Sequence, residues 1–223
     1  GAFGKSSQCR NRQDWFARLR RECEAALADL LDGGFTEGGI LRALLAELGE
    51  EALFLSNSMP VRDLNRYAQT LQSPVRTGCS RGASGIDGII STAAGWTLGQ
   101  ERPGVALLGD IAAWHDLGAV LQLGEMDVPL LLVVVNNGGG SIFSRLPWPE
   151  KDALFSRLFT AQHGHRFAPI FQASGIPCLQ PESIGGFREA LGTLRTGRGL
   201  RAIEVVTDPT ENAALSEEAA RRI

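Results

Sequence analysis

Apolar positions along this chain follow two rhythms. The first is helical. Trp15, Phe16, Leu19, Cys23, Ala26, Leu27, Leu30 and Leu31 recur at spacings of three and four, behind a candidate cap at Asp14 and ahead of Gly33–Gly34. Thr36 then caps a second predicted helix that buries Ile40, Leu41, Leu44, Leu45 and Leu48 and stops at Gly49. The second rhythm is continuous. Ala52–Leu55, Val105–Leu108, Leu130–Val135 and Ala202–Val206 are short unbroken apolar runs, as expected of strands buried on both faces. Helix-like stretches separate them, notably Gly88–Leu98, Ala113–Gly124 and Phe187–Leu194. Such alternation predicts an α/β fold, a doubly wound parallel sheet with helices on both faces. In such sheets ligands bind beyond the carboxyl ends of the strands. There the runs end in Ser56–Asn57–Ser58, Gly109–Asp110 and Asn136–Asn137.

Length and composition narrow the picture. At 223 residues the chain suits one large domain. We divide it at residue 34, with 1–34 as a lead-in from an upstream domain and 35–223 as the ligand-binding domain. The longest apolar run is far too short to cross a bilayer, and the N-terminus carries no apolar stretch of signal-peptide length, so membrane insertion and secretion are not expected. A net charge of −3 gives no basic field for nucleic acid. The arginines at 10, 12, 18, 20 and 21 read as a solvated helix face. Four scattered cysteines, none in a C-x-x-C pair, suit a reducing, cytoplasmic setting and offer no zinc or redox site.

Several motifs fail on inspection. Gly4–Lys5–Ser6 lacks the strand and the earlier glycine of a phosphate-binding loop. Gly82-Ala83-Ser84-Gly85-Ile86 lacks the closing glycine of a nucleophile elbow. No G-x-G-x-x-G follows a predicted strand. His115, His163 and His165 form no metal-ligand pattern, and His115 reads as a residue at a helix start.

The constellation that remains is Gly109–Asp110 and, 27 positions after Asp110, Asn137 within Asn136-Asn137-Gly138-Gly139-Gly140. That spacing fits one helix and one strand, so the two ends can lie side by side. A carboxylate, an amide oxygen, a backbone carbonyl, two phosphate oxygens and a water would complete an octahedral Mg²⁺ site. Helix N-termini after both strands would favour a diphosphate. Two ordinary strand-to-turn junctions, where Asp and Asn are common, would look the same at this level.

These residues resemble the thiamine-diphosphate motif, in which a Gly-Asp pair is followed some way on by Asn-Asn. Four blocks resemble one family more closely, the menaquinone-pathway synthase that makes 2-succinyl-5-enolpyruvyl-6-hydroxy-3-cyclohexene-1-carboxylate (SEPHCHC synthase). They are Ser56-Asn57-Ser58-Met59-Pro60-Val61-Arg62-Asp63; Ser80-Arg81-Gly82-Ala83-Ser84-Gly85-Ile86-Asp87-Gly88; His115-Asp116-Leu117; and Val134-Val135-Asn136-Asn137-Gly138-Gly139-Gly140-Ser141-Ile142-Phe143. The resemblance runs from about Thr36 to Asp208. It implies a thiamine-diphosphate-binding fold and a carboligase that decarboxylates 2-oxoglutarate and adds the resulting carbanion to isochorismate. It also implies thiamine diphosphate with Mg²⁺ (or Mn²⁺) as cofactors, and a homo-oligomer. Asp110, Asn137 and Gly139 match the family's metal ligands. Asn57, Ser58, Gly109, Ile111, Gly140, Ile142 and Phe143 complete the implied cofactor site. Arg62 and Arg81 match the arginines of the reaction site, where planar forks would suit two multiply anionic substrates. Ile86 matches the residue that wedges the cofactor into its bent form. A surface salt bridge is the plain alternative for each arginine, and plain core for Ile86. Phe159 is a further candidate for the pocket wall.

Two departures stand out. Ala112 occupies a place where the family usually has a small polar residue. Nothing in the chain corresponds to the pyrimidine-binding domain, whose Glu activates the cofactor. We therefore expect a carboxy-terminal segment with little turnover by itself. Another thiamine-diphosphate decarboxylase or synthase, and a non-catalytic assembly domain of the same fold, are the alternatives.

Overall fold

The computed structural model describes residues 7–68, 74–145 and 153–222 of the chain. Gly4–Lys5–Ser6 and the side chains of Cys9 and Arg10 lie outside what it describes. Its centre is a six-stranded, wholly parallel sheet in the order β2-β1-β3-β4-β6-β5. The strands are β1 (Ala52–Leu55), β2 (Thr77–Cys79), β3 (Gly104–Gly109), β4 (Leu130–Asn136), β5 (Cys178–Leu179) and β6 (Leu200–Val206). The doubly wound parallel sheet expected from the apolar runs is therefore present. The short edge strands β2 and β5 escaped the sequence reading because neither has an apolar run to mark it.

Alternation along each strand splits the core into two layers. Leu53, Leu55, Val105, Leu107, Leu131, Val133, Ile203 and Val205 face one side. They pack under α2 (Glu37–Glu47), α9 (Ile184–Leu194) and the end of α1 (Ser7–Leu31). Phe54, Ala106, Leu108, Leu130, Leu132, Val134 and Ala202 face the other. These meet α4 (Ile89–Gly99), α5 (Asp110–His115), α6 (Leu117–Gly124) and α8 (Ala168–Ala173). The remaining helices are α3 (Met59–Tyr67), α7 (Ala153–Phe155, running into a π-helical turn at Ser156–Thr160) and α10 (Pro209–Arg222).

Local chemistry sets the helix ends. Thr36 caps α2, its hydroxyl accepting from Gly39 N at 3.2 Å, and Ser183 caps α9 through Gly186 N. The stretch predicted as one helix over Ala113–Gly124 is two. Asp116 breaks it, with φ −125° and ψ 22°, while its carboxylate accepts from Ser91 N and Ser91 Oγ on α4. His115 consequently ends α5 and does not start a helix. The leading helix also departs from expectation. It begins at Ser7, ahead of Asp14, and its apolar stripe is buried only at its end. Leu27 and Leu31 belong to the core, whereas Trp15 and Phe16 are 57% and 59% exposed, because no described element packs against that half. Among the described residues no helix is long and apolar enough to cross a membrane.

A buried carboxylate, Glu204 on β6, knits the far side together. It accepts from Asn136 Nδ2 (2.7 Å), Phe167 N (3.0 Å), Ala168 N (2.8 Å) and Gln180 Nε2 (2.8 Å). Burial, with the charge of Glu204 beside it, pushes the Cys178 thiol up to about 12, which leaves that buried cysteine inert.

Candidate active site at the carboxyl ends of β1, β3 and β4

Strands β1, β3 and β4 are neighbours, so their carboxyl ends form one rim. Gly109 pairs with Val135, which brings Asp110 beside the Asn136–Asn137 turn. A cleft of about 320 Å³ opens over that rim. Every residue assigned to the site from sequence lines it: Asn57, Ser58, Arg62, Arg81, Ile86, Gly109, Asp110, Ile111, Asn137, Gly139, Gly140, Ile142 and Phe143. Phe159, the further candidate, stands outside that lining; it packs on Phe155 and against Phe143, with centroids 6.2 Å apart in the second pair.

Asp110 opens α5 and is almost fully buried. Ile111 N donates to its Oδ1 at 2.7 Å and Gly139 N to its Oδ2 at 2.9 Å, tying the two strand ends together. His163 Nε2 lies 3.2 Å from Oδ2. Burial holds the carboxyl above the usual range, against the pull of these backbone N–H groups and of His163. An ionised Asp110 in this setting favours a neighbouring cation.

Asn137 supplies the complementary group. Its Nδ2 donates to Glu37 Oε1 at 2.6 Å and to Ser141 Oγ at 3.0 Å. Its Oδ1 is buried and has no hydrogen-bond partner among the described residues. An amide oxygen orphaned beside a carboxylate is the arrangement a hard divalent cation fits. Gly139 completes the turn with φ +152°, and a Cβ there would come within 2.5 Å of Thr160 O, so glycine is required by both backbone and space. After β4 comes a five-residue 3₁₀ turn, Ser141–Arg145, in place of the expected helix; its N-terminal dipole is correspondingly short.

The other wall is built on β1. Asn57 Nδ2 donates to Gly85 O at 2.6 Å, and Arg81 Nη1 donates to Asn57 Oδ1 at 3.0 Å. Asn57 thus holds Arg81 and the turn that carries Ile86. Ser58 has φ 70° and ψ −123°, a conformation rare outside glycine. Its carbonyl accepts from Arg62 Nη1 at 2.6 Å, which folds that guanidinium back over the rim. Both arginines are exposed at the cleft mouth with N–H groups to spare. Ala112 is buried between the cleft and the core, so no hydroxyl is presented there. Sequence reasoning missed Glu37 and Ser141. Glu37 lies 100 residues before Asn137, and no local pattern links the two.

No family model matches the chain. Curated relatives do. A 2-succinyl-5-enolpyruvyl-6-hydroxy-3-cyclohexene-1-carboxylate synthase from Chlorobium phaeovibrioides is 40% identical over 204 residues, which is 90% of this chain and 34% of that protein. The synthases of the same name from Rubrobacter xylanophilus and Halobacterium salinarum are 39% and 36% identical, covering 90% and 89% of this chain and 34% of each relative. Over these residues the chain belongs to the SEPHCHC synthase family. It spans about a third of the length of the relatives it matches. A solved structure, a candidate thiamin diphosphate-dependent enzyme from Mycobacterium smegmatis, superposes with a TM-score of 0.63 over 78% of this chain and 32% of that one. At 21% identity that likeness establishes the fold alone. Three of the four blocks that carried the SEPHCHC synthase resemblance contribute residues to the cleft, whereas His115-Asp116-Leu117 does not line it and instead joins α5 to α4 through Asp116.

Proposed function

We propose that this segment is the diphosphate-binding domain of a SEPHCHC synthase, holding thiamine diphosphate through Mg²⁺ (or Mn²⁺) for the decarboxylation of 2-oxoglutarate and its addition to isochorismate. Residues 35–223 would form that domain, with 1–34 leading in. The observation that carries the reading is the buried, unpartnered Asn137 Oδ1 together with the buried Asp110 carboxylate, on two residues that line one cleft with the other eleven expected residues.

In this reading Asp110, Asn137 Oδ1 and the Gly139 carbonyl would hold the cation, whose charge would offset that of the diphosphate. The bound cofactor supplies the carbon nucleophile. Ile86, in the turn held by the Asn57–Gly85 bond, would present an apolar wedge to the cofactor. Arg62 and Arg81 offer forked donors to the carboxylates of both substrates. The pyrimidine-binding domain, bringing the activating Glu, would close the mouth of the cleft, where Phe143 and Phe159 are 38% and 39% exposed. A homo-oligomer follows from that docking in the family.

Calorimetric titration of thiamine diphosphate into the complete polypeptide tests the site. Wild type should bind only with Mg²⁺ present, and Asp110→Ala should weaken binding by roughly a hundredfold or more. Binding that ignores both the cation and the substitution would overturn the assignment.

A further inference from the structure

We infer that Glu37, at the start of α2, is a positioning residue for the cation site: its carboxylate fixes the orientation of the Asn137 amide. The inference rests on the proposed metal role of Asn137. Three observations carry it. First, the contact is short and partly buried, with Asn137 Nδ2 donating to Glu37 Oε1 at 2.6 Å and Glu37 itself only 6% exposed. Second, an ionised carboxylate can only accept. The amide therefore turns its NH₂ toward Glu37 and its oxygen away, and that buried oxygen is left without a partner among the described residues. Third, Glu37 is itself anchored. Its own N donates to Asn212 Oδ1 at 2.9 Å, Asn212 Nδ2 donates to Thr207 Oγ1 at 3.1 Å, and Thr207 N donates to Asn136 O at 3.0 Å. The circuit closes on the residue before Asn137, so α2 and α10 brace the turn from behind. A negative charge in the first turn of α2 is also favoured by the helix dipole.

The chemistry makes a specific forecast. In Glu37→Gln the new side chain can accept from Asn137 Nδ2 or donate to Asn137 Oδ1, so the amide loses its single orientation without a change in packing volume. The Mn²⁺ affinity of the complete polypeptide, measured by electron paramagnetic resonance in the presence of thiamine diphosphate, should fall by roughly 10- to 100-fold. The thermal midpoint without cofactor should stay near that of wild type. In Asn137→Asp two carboxylates would face each other at this contact, and cation affinity should fall. Adding Glu37→Gln to Asn137→Asp should restore it, because the amide introduced at position 37 can donate to one oxygen of the new carboxylate and leave the other for the cation. A purely structural role for Glu37 predicts no such rescue.

Asp110→Ala, measured alongside, separates the two claims. Loss of Mn²⁺ binding in Asp110→Ala with wild-type affinity in Glu37→Gln overturns the role of Glu37 and leaves the site standing. Unchanged binding in Asp110→Ala overturns the site and the inference together. If Glu37→Gln alone does not fold, the comparison of Asn137→Asp with the double variant decides: absence of rescue overturns the role of Glu37.

Discussion

Ser58 shows how a single residue is held against its preference. It is a non-glycine residue with φ 70°, at the junction where β1 ends and α3 begins, and it lines the cleft. Such strain costs on the order of 1–3 kcal/mol and persists where the surroundings impose it. Here the surroundings are the buried Asn57 before it, Pro60 in the first turn after it, and the Arg62 bond to its carbonyl. Ser58→Gly should therefore raise stability by about 1 kcal/mol, after the extra entropy of an unfolded glycine is subtracted. A urea unfolding curve would show a higher midpoint at unchanged slope. A midpoint below that of wild type would mean that the conformation carries no strain. The residues proposed for the site could be named one by one from sequence, since Asp110, Asn137, Arg62 and Arg81 sit in motifs a few residues long, and they line one cleft. Glu37 was not, because its partner is a hundred residues away and only the fold makes them adjacent.

At the scale of elements, β6 carries two buried charges with opposite fates. Glu204 meets four donors and locks β4, β5 and the start of α8 around itself. Arg201, three residues earlier on the other face, is 3% exposed, and none of its guanidinium nitrogens has a partner among the described residues. Burial alone depresses its pKa. Desolvation without compensation is destabilising, so Arg201→Met should stabilise the protein by about 1–3 kcal/mol. Differential scanning calorimetry would read this as a higher melting temperature, and a lower one would imply an acceptor that the described residues do not include. The alternating burial along β6 was readable as a strand. Which of its charges would be satisfied was not, because the partners of Glu204 come from three other segments.

Across the whole molecule, one buried arginine ties the end of the leading helix to α2, beside the core packing of Leu27 and Leu31 and an ion pair from Arg222 on α10 to Asp29. Arg42 on α2 is 2% exposed and donates to Asp32, to Glu24 at 2.6 Å and to Tyr67 O at 3.0 Å. It clamps the end of α1 over the layer that contains Leu27 and Leu31. Its partners are 33% and 42% exposed at Glu24 and Asp32, so removing it leaves carboxylates that water can still reach. Arg42→Met should cost about 2–3 kcal/mol, toward the lower side of a broken buried pair. Amide hydrogen exchange should speed up selectively over residues 23–31. Uniform exchange across the sheet would show that the clamp does not act locally.

The sequence by itself determined the class of fold and named the residues that the fold gathers around the cleft. Unbroken apolar runs alternating with helical stretches suit strands buried on both faces of a parallel sheet, and such sheets present their strand ends to ligands. It also determined the family, since the blocks around Arg62, Arg81 and Asn137 are contiguous. Only the tertiary structure decided the strand order, and with it the adjacency of β1, β3 and β4 that gathers thirteen scattered residues into one cleft. It alone decided that Asp116 would break a helix to reach α4, that the N-terminal half of α1 would stay uncovered, and that a glutamate on α2 would meet the asparagine that follows β4. These are contacts between segments far apart in the chain. Local periodicity records which face of each element is apolar, and it holds no information about which polar groups the packing of those faces brings into contact.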